Sequence, residues 1–196
     1  MRAGEFVLAR FWKEDHLLRR WAGGEAAFGG VLDDYAYLLQ GFLDLYETTF
    51  EERWITAALA LNESVIAQFY DSGQGGFFFT PEGGEELIAR GKSGFDNARP
   101  SGNGIMALNL LRLYELTGDK RHHERARKTL DFFGARVTAS ALGFSTILNA
   151  LDFAASKPRS VFLAGEAGLP AFRITFQDPR RRGWRAREPA MRTGGG

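Results

Sequence analysis

One eight-residue pattern occurs twice in this chain, and its spacing limits the possible folds more than any other feature. Phe42-Leu43-Asp44-Leu45-Tyr46-Glu47-Thr48-Thr49 returns as Leu110-Leu111-Arg112-Leu113-Tyr114-Glu115-Leu116-Thr117, about 68 positions later. The same register pairs Ala58 with Ala126 and Val65 with Phe133. Each copy reads as helix, short turn, helix. A period of that length points to stacked helical hairpins, because one hairpin can bury its apolar face only against its neighbours.

A coarse pass along the chain predicts mostly helix. Glu5 to Trp21 reads as helical, with Gly23-Gly24 ending it, since glycine accepts the backbone angles of a helix stop. The next helix starts near Asp33-Asp34, whose carboxylates suit free amides and the positive end of the dipole. Tyr35, Leu38, Leu39, Phe42, Leu45 and Tyr46 then recur at steps of three and four. From Glu52 to Tyr70, Trp54, Ala58, Leu61, Val65 and Phe69 form one stripe. A glycine-rich connection containing Phe77-Phe78-Phe79 reads as extended. Helices resume over roughly Gly102–Leu116, Lys120–Gly134 and Ala139–Ala155.

Their polarity alternates. Tyr35–Tyr46 and Ile105–Leu116 are apolar around most of their circumference, whereas Arg121–Lys128 has a charged outer face. A helix apolar all round is buried and an amphipathic one lies at the surface. Two layers follow, inner and outer helices in turn. The expected fold is all-α, a toroid-like stack of helical hairpins with a short β-hairpin-like connection. An ordinary helical bundle explains the alternation less directly.

At 196 residues and 44% apolar, the chain suffices for one core domain. That domain is placed at residues 1–157, with a strand-like extension at 158–172 and an arginine-rich tail at 173–196. No apolar run is long enough to span a bilayer. Arg10, Lys13, Glu14, Asp15, Arg19 and Arg20 crowd the start with charge, against a secretory signal. There is no cysteine, which removes thiol chemistry and disulfides. A cytoplasmic protein is the expectation. In the tail, seven arginines face only Asp178 and Glu188. Arg180-Arg181-Arg182 beside Trp184 suits RNA contacts, but no RNA-binding module accompanies it, and a solvated tail is the preferred reading.

Three polar clusters precede inner helices or join hairpins: Asp33-Asp34-Tyr35, Tyr70 to Thr80, and Lys92 to Asn103. At the third the chain resembles a known family. Leu32-Asp33-Asp34-Tyr35-Ala36, Gly75-Gly76-Phe77-Phe78-Phe79-Thr80 and Asp96-Asn97-Ala98-Arg99-Pro100-Ser101-Gly102-Asn103 are similar to segments of the thioredoxin-domain-containing, spermatogenesis-associated (YyaL-like) family. The resemblance covers roughly residues 5 to 165. It implies an (α/α)6 toroid similar to that of N-acylglucosamine 2-epimerases, following an amino-terminal thioredoxin-like domain. That domain has no counterpart in this sequence, so no redox activity carries over. About half of the toroid's helices are present, and Asn97 stands where the family has glycine. A carboxy-terminal part of a longer protein, or a shortened relative, is the implied status.

Carboxylates beside aromatic planes suit sugars: the former accept hydroxyl hydrogen bonds or move protons, and the latter pack on C–H faces. Helix starts add unpaired amides. The leading expectation is a carbohydrate-binding or carbohydrate-processing domain of the six-hairpin glycosidase type, its reaction open. Asp96 and Asp34 are the candidate catalytic carboxylates. Tyr35, Asp71, Phe79, Lys92, Asn97, Ser101 and Asn103 are the candidate ligand contacts. Asp34 and Ser101 suit helix caps equally well, and Asp71 and Asn97 suit turns. No cofactor or metal is expected, since His-Glu-x-x-His and phosphate-loop signatures are missing. His16, His122 and His123 do not form an acid–base pair, against a complete epimerase. The alternative is a non-catalytic scaffold whose open ring docks on a partner subunit or a second copy.

Overall fold

The structure, a computed structural model, describes residues 1–83 and 90–156. The extension expected at 158–172 and the tail at 173–196 lie outside them. Helix α1 (Arg2–Arg10) leads into three short strands, β1 (Trp12–Lys13), β2 (His16–Ala22) and β3 (Glu25–Gly29). Five longer helices follow: α2 (Leu32–Thr49), α3 (Glu52–Phe69), α4 (Gly102–Thr117), α5 (Lys120–Ala139) and α6 (Ser145–Ala155), the last entered through a 3-10 turn at Ala141–Phe144.

The single helix expected over Glu5–Trp21 is corrected here. The chain leaves α1 at Phe11 and turns back twice as an antiparallel sheet in the order β1-β2-β3. Glu14 and Asp15 take φ of 47° and 61°, and Gly23 and Gly24 take 61° and 85°. Two consecutive residues at positive φ make the hairpin turn whose twist matches paired strands, so Gly23-Gly24 reverses a hairpin rather than stopping a helix. The sheet is fastened to the helices by the Tyr35 hydroxyl, which accepts a 2.8 Å hydrogen bond from the Leu17 amide.

The repeat holds down to its capping atoms. Phe50 and Gly118 both close their helices in the left-handed region, at φ 56° and 72°. Their amides bond the carbonyls of Tyr46 and Tyr114. Thr49 and Thr117 each return a hydroxyl bond four residues back. Each also accepts from the amide two residues on, at 3.2 Å in both copies. Across the repeat, Arg112 bonds Asp44, its counterpart in the first copy, at 2.7 Å, and Glu47 at 2.9 Å.

Helices α2, α4 and α6 pack side by side as the inner row, with α3 backing α2 and α5 backing α4. Helix α4 is buried nearly all round, including Gly102 to Ala107, Leu110, Leu111 and Leu113. Its close neighbours explain the small residues at its start: a Cβ on Gly104 would lie 2.7 Å from the Thr146 methyl of α6. The all-round burial expected of the inner helices holds for α4, and α5 carries the charged outer face, whereas α2 buries a single stripe from Leu32 to Leu43 and α6 leaves Leu148, Leu151 and Phe153 exposed. This is the α/α toroid type of arrangement. Among the described residues no helix is long and apolar enough to cross a membrane.

One substitution between the copies is chemically informative. His122 stands where the first copy has the fully buried Trp54, and is itself 2% exposed, its Nδ1 without a hydrogen bond among the described residues. Burial holds its pKa below the ordinary 6.5, with Asp119 opposing. The unfolded chain therefore binds the proton more readily, so stability contributed at neutral pH is lost as pH falls through 6.5. His122→Leu is expected to flatten that loss, leaving stability nearly unchanged between pH 7 and pH 5 at this position. Urea unfolding at a series of pH values checks it.

Candidate functional site

The loop from Lys92 to Pro100 lies over the start of the inner helices, and the sequence explains why it stays there. Asp96 Oδ1 accepts the Ser101 amide and Oδ2 accepts the Thr146 amide, both at 2.7 Å. One carboxylate thereby joins the beginnings of α4 and α6. The Tyr37 hydroxyl donates to the Pro100 carbonyl at 2.6 Å, tying the loop to α2 as well. Ser101 caps α4, its Oγ accepting from the Gly104 amide. Asn103, 1% exposed, accepts from the Phe77 amide and donates to the carbonyls of Phe77 and Ser93.

These ties leave a cavity of about 350 Å³ at the head of α2 and α4. Asp33, Phe79, Phe95, Asn97, Arg99 and Ser101 are among its walls. Phe79 and Phe95 are 44% and 48% exposed, leaving ring surface open to solvent. Asp33 Oδ2 lies 3.6 Å from Arg99 Nη2. Burial pushes the Asp33 carboxyl above its ordinary 3.8, and neighbouring Asp34 adds to that. Arg99 and the Gly102 amide pull the other way. Gly102 allows this closeness, since any Cβ there would collide with Asp33 Oδ1.

The residues selected from sequence divide by location. Phe79, Asn97, Ser101 and Asn103 line the cavity. Asp96 is beside it, with both oxygens engaged by amides. Asp34 turns back along its own helix to accept the Val31 amide at 2.9 Å, with Arg19 at 3.5 Å. Tyr35 is buried beneath the sheet, its hydroxyl engaged by Leu17 and 3.4 Å from Gln68. Asp71 and Lys92 pair with each other at 2.7 Å, away from the cavity walls. Asp71 also closes its own turn on the Gly73 and Gln74 amides, and these bonds with Lys92 hold its carboxyl below the usual range. Lys92 further bonds the Gly75 carbonyl and sits 3.8 Å over the Phe132 ring.

Asp33, Phe95 and Arg99 are among the cavity residues that sequence reasoning leaves unselected. Phase is the reason. With Val31 as N-cap, the second of the two aspartates bonds back to the cap, leaving the first to face the mouth. Among the described residues no group of three His, Asp or Glu side chains is placed to hold a metal ion.

No family model matches the chain. Spermatogenesis-associated protein 20 of Rattus norvegicus is 35% identical over 138 residues, 70% of this chain. The chain is homologous to spermatogenesis-associated protein 20. The human spermatogenesis-associated protein 20 gives 34% over the same length, and an uncharacterized protein of Caenorhabditis elegans gives 29% over 136 residues, 65% of this chain. The chain spans 18% of the length of spermatogenesis-associated protein 20 in rat and human, and 18% of the nematode relative. Among solved structures, a GH76 α-mannanase from Bacteroides thetaiotaomicron superposes with a TM-score of 0.60 at 14% identity. The match covers 78% of this chain and 43% of that one. The shared feature is the fold, an α/α toroid.

Proposed function

We propose that the cavity at the head of α2 and α4 binds a carbohydrate, with Asp33 as the carboxylate that contacts it. The observation that carries this reading is the combination of a half-buried carboxylate with two open phenylalanine faces in one cleft of about 350 Å³. That size falls in the ordinary range for small-ligand sites, roughly 300–1,000 Å³. Phe79 and Phe95 offer surfaces for the C–H faces of a sugar ring, while Asp33 and Arg99 supply an acceptor and donors for hydroxyls. Asp33 takes over the proton-transfer role expected of Asp96, whose two oxygens are occupied by the frame. A carboxyl raised above its usual range holds a proton longer as pH rises, which suits an acid donating to a glycosidic oxygen. The fold's occurrence in an α-mannanase supports the ligand class, and the reaction stays open at the level of carbohydrate processing.

Titration calorimetry with mannose, glucose and their oligosaccharides tests the reading. Asp33→Asn is expected to weaken the sugar that binds by about 10- to 100-fold, the loss of one charged hydrogen bond. Carboxyl NMR is expected to show Asp33 titrating above 3.8, and binding that changes as pH rises through that window. Unchanged affinity in Asp33→Asn removes this residue from the site.

A second reading rests on a separate observation. Leu142 is 95% exposed, and Leu148, Leu151 and Phe153 on α6 are each more than a third exposed. An apolar edge at the end of the inner row suits a surface that continues the ring, in a partner subunit or further chain. Light scattering on the intact protein distinguishes the two readings, since sugar binding by a monomer needs no such partner.

A further inference from the structure

A second cavity, about 380 Å³, lies on the outer surface between the end of α3 and the first half of α5. Its walls include Tyr70, Ser72, Arg121, Glu124, Arg125 and Lys128. Arg121, Arg125 and Lys128 follow at steps of four and three, so they share one face of α5. Arg121 is held by Asp119 at 2.6 Å, while Arg125 and Lys128 form no ion pair among the described residues.

Two polar atoms here are buried and make no hydrogen bond among the described residues, the Tyr70 hydroxyl and Arg125 Nη1. Folded proteins satisfy nearly all such groups, so both await a partner of opposite character. Burial and Asp71 raise the Tyr70 pKa while Arg125 lowers it, so the phenol remains a hydrogen-bond donor at neutral pH. The walls carry guanidinium, ammonium, phenol and hydroxyl donors, and among the described residues Glu124 is the one carboxylate lining them.

We propose that this outer cavity binds a phosphate monoester. Two uncommitted cations match a dianion, and the planar guanidinium fork suits adjacent phosphate oxygens. The volume exceeds what one phosphate fills, which leaves space for an organic group beside Glu124, an acceptor for a hydroxyl. The site lies on outer helices and uses none of the residues of the sugar cavity.

The test is a calorimetric and phosphorus-NMR titration of the full chain at constant ionic strength with inorganic phosphate, glycerol 3-phosphate and glycerol. Saturable binding is expected for both phosphates, tighter for the ester, and none for glycerol. At about ten times the dissociation constant, the ester raises the melting temperature by roughly 3–5 °C. Lys128→Gln, on an exposed residue, weakens the ester by about tenfold, and Arg125→Gln removes saturable binding. Arg136→Gln, outside the cavity, and Asp33→Asn leave it unchanged. Circular dichroism confirms folding, and the Lys128 variant decides the matter if the Arg125 variant unfolds. Absence of saturable binding, affinity for inorganic phosphate alone, or wild-type binding by Lys128→Gln overturns the proposal.

Discussion

Asp96→Ala is expected to lower the unfolding free energy by about 3–6 kcal/mol, from two charge-assisted bonds worth roughly 1.5–3 each. Its oxygens accept the amides of Ser101 and Thr146, residues that begin different helices, and each amide sits at a positive dipole end. Alanine leaves both amides unsatisfied and releases the loop from both helices. Asp96→Asn keeps one acceptor and turns its carboxamide NH2, a donor, toward the other N–H, so about half of the loss is expected. Urea unfolding reads both values from the shift in midpoint at constant slope. Losses below about 1 kcal/mol in both variants would show that the loop is held mainly by Tyr37 and Asn103.

Gly75→Ala is expected to cost about 2–4 kcal/mol, combining left-handed backbone strain with a rigid collision. Gly75 has φ +80°, and a Cβ there would stand 2.5 Å from the Lys128 carbonyl oxygen and 2.7 Å from its carbon. Those atoms belong to the backbone of α5, so no side-chain rotation relieves the contact. The melting temperature should fall by roughly 5–12 °C. Gly73→Ala is the control: its φ is not positive and its nearest neighbour is the Asp71 carboxylate oxygen at 3.3 Å. A fall of equal size in both variants would remove the collision as the cause.

Much of the helical frame was legible because its signals are local. The repeat placed both inner helices and both closing turns, and the structure repeats even the hydroxyl bonds of Thr49 and Thr117. Phe77-Phe78-Phe79 was read as extended, and Phe77 does pair with Tyr70 across a tight turn. The amino-terminal sheet was hidden for a physical reason. Its first reversal uses Glu14 and Asp15 at positive φ with no glycine to mark it, and strands of two to seven residues present too little alternation to outweigh charged helix-forming neighbours. Gly23-Gly24, between Trp21-Ala22 and Glu25-Ala26, was the available sign of a hairpin. The candidate site was legible as a set of clusters but not as roles. Asp33 and Asp34 are neighbours of one type, and only the phase set by Val31 separates cavity from cap. Asp96 depends on an amide 50 residues away, which no local pattern discloses.

The bond from Arg112 to Asp44 joins the same position in successive hairpins. The planar guanidinium reaches Asp44 and Glu47 together, so one side chain of α4 spans two successive turns of α2 and holds the equivalent levels of the two hairpins in step. A point charge there, as in Arg112→Lys, would keep one of those carboxylates and let the other go.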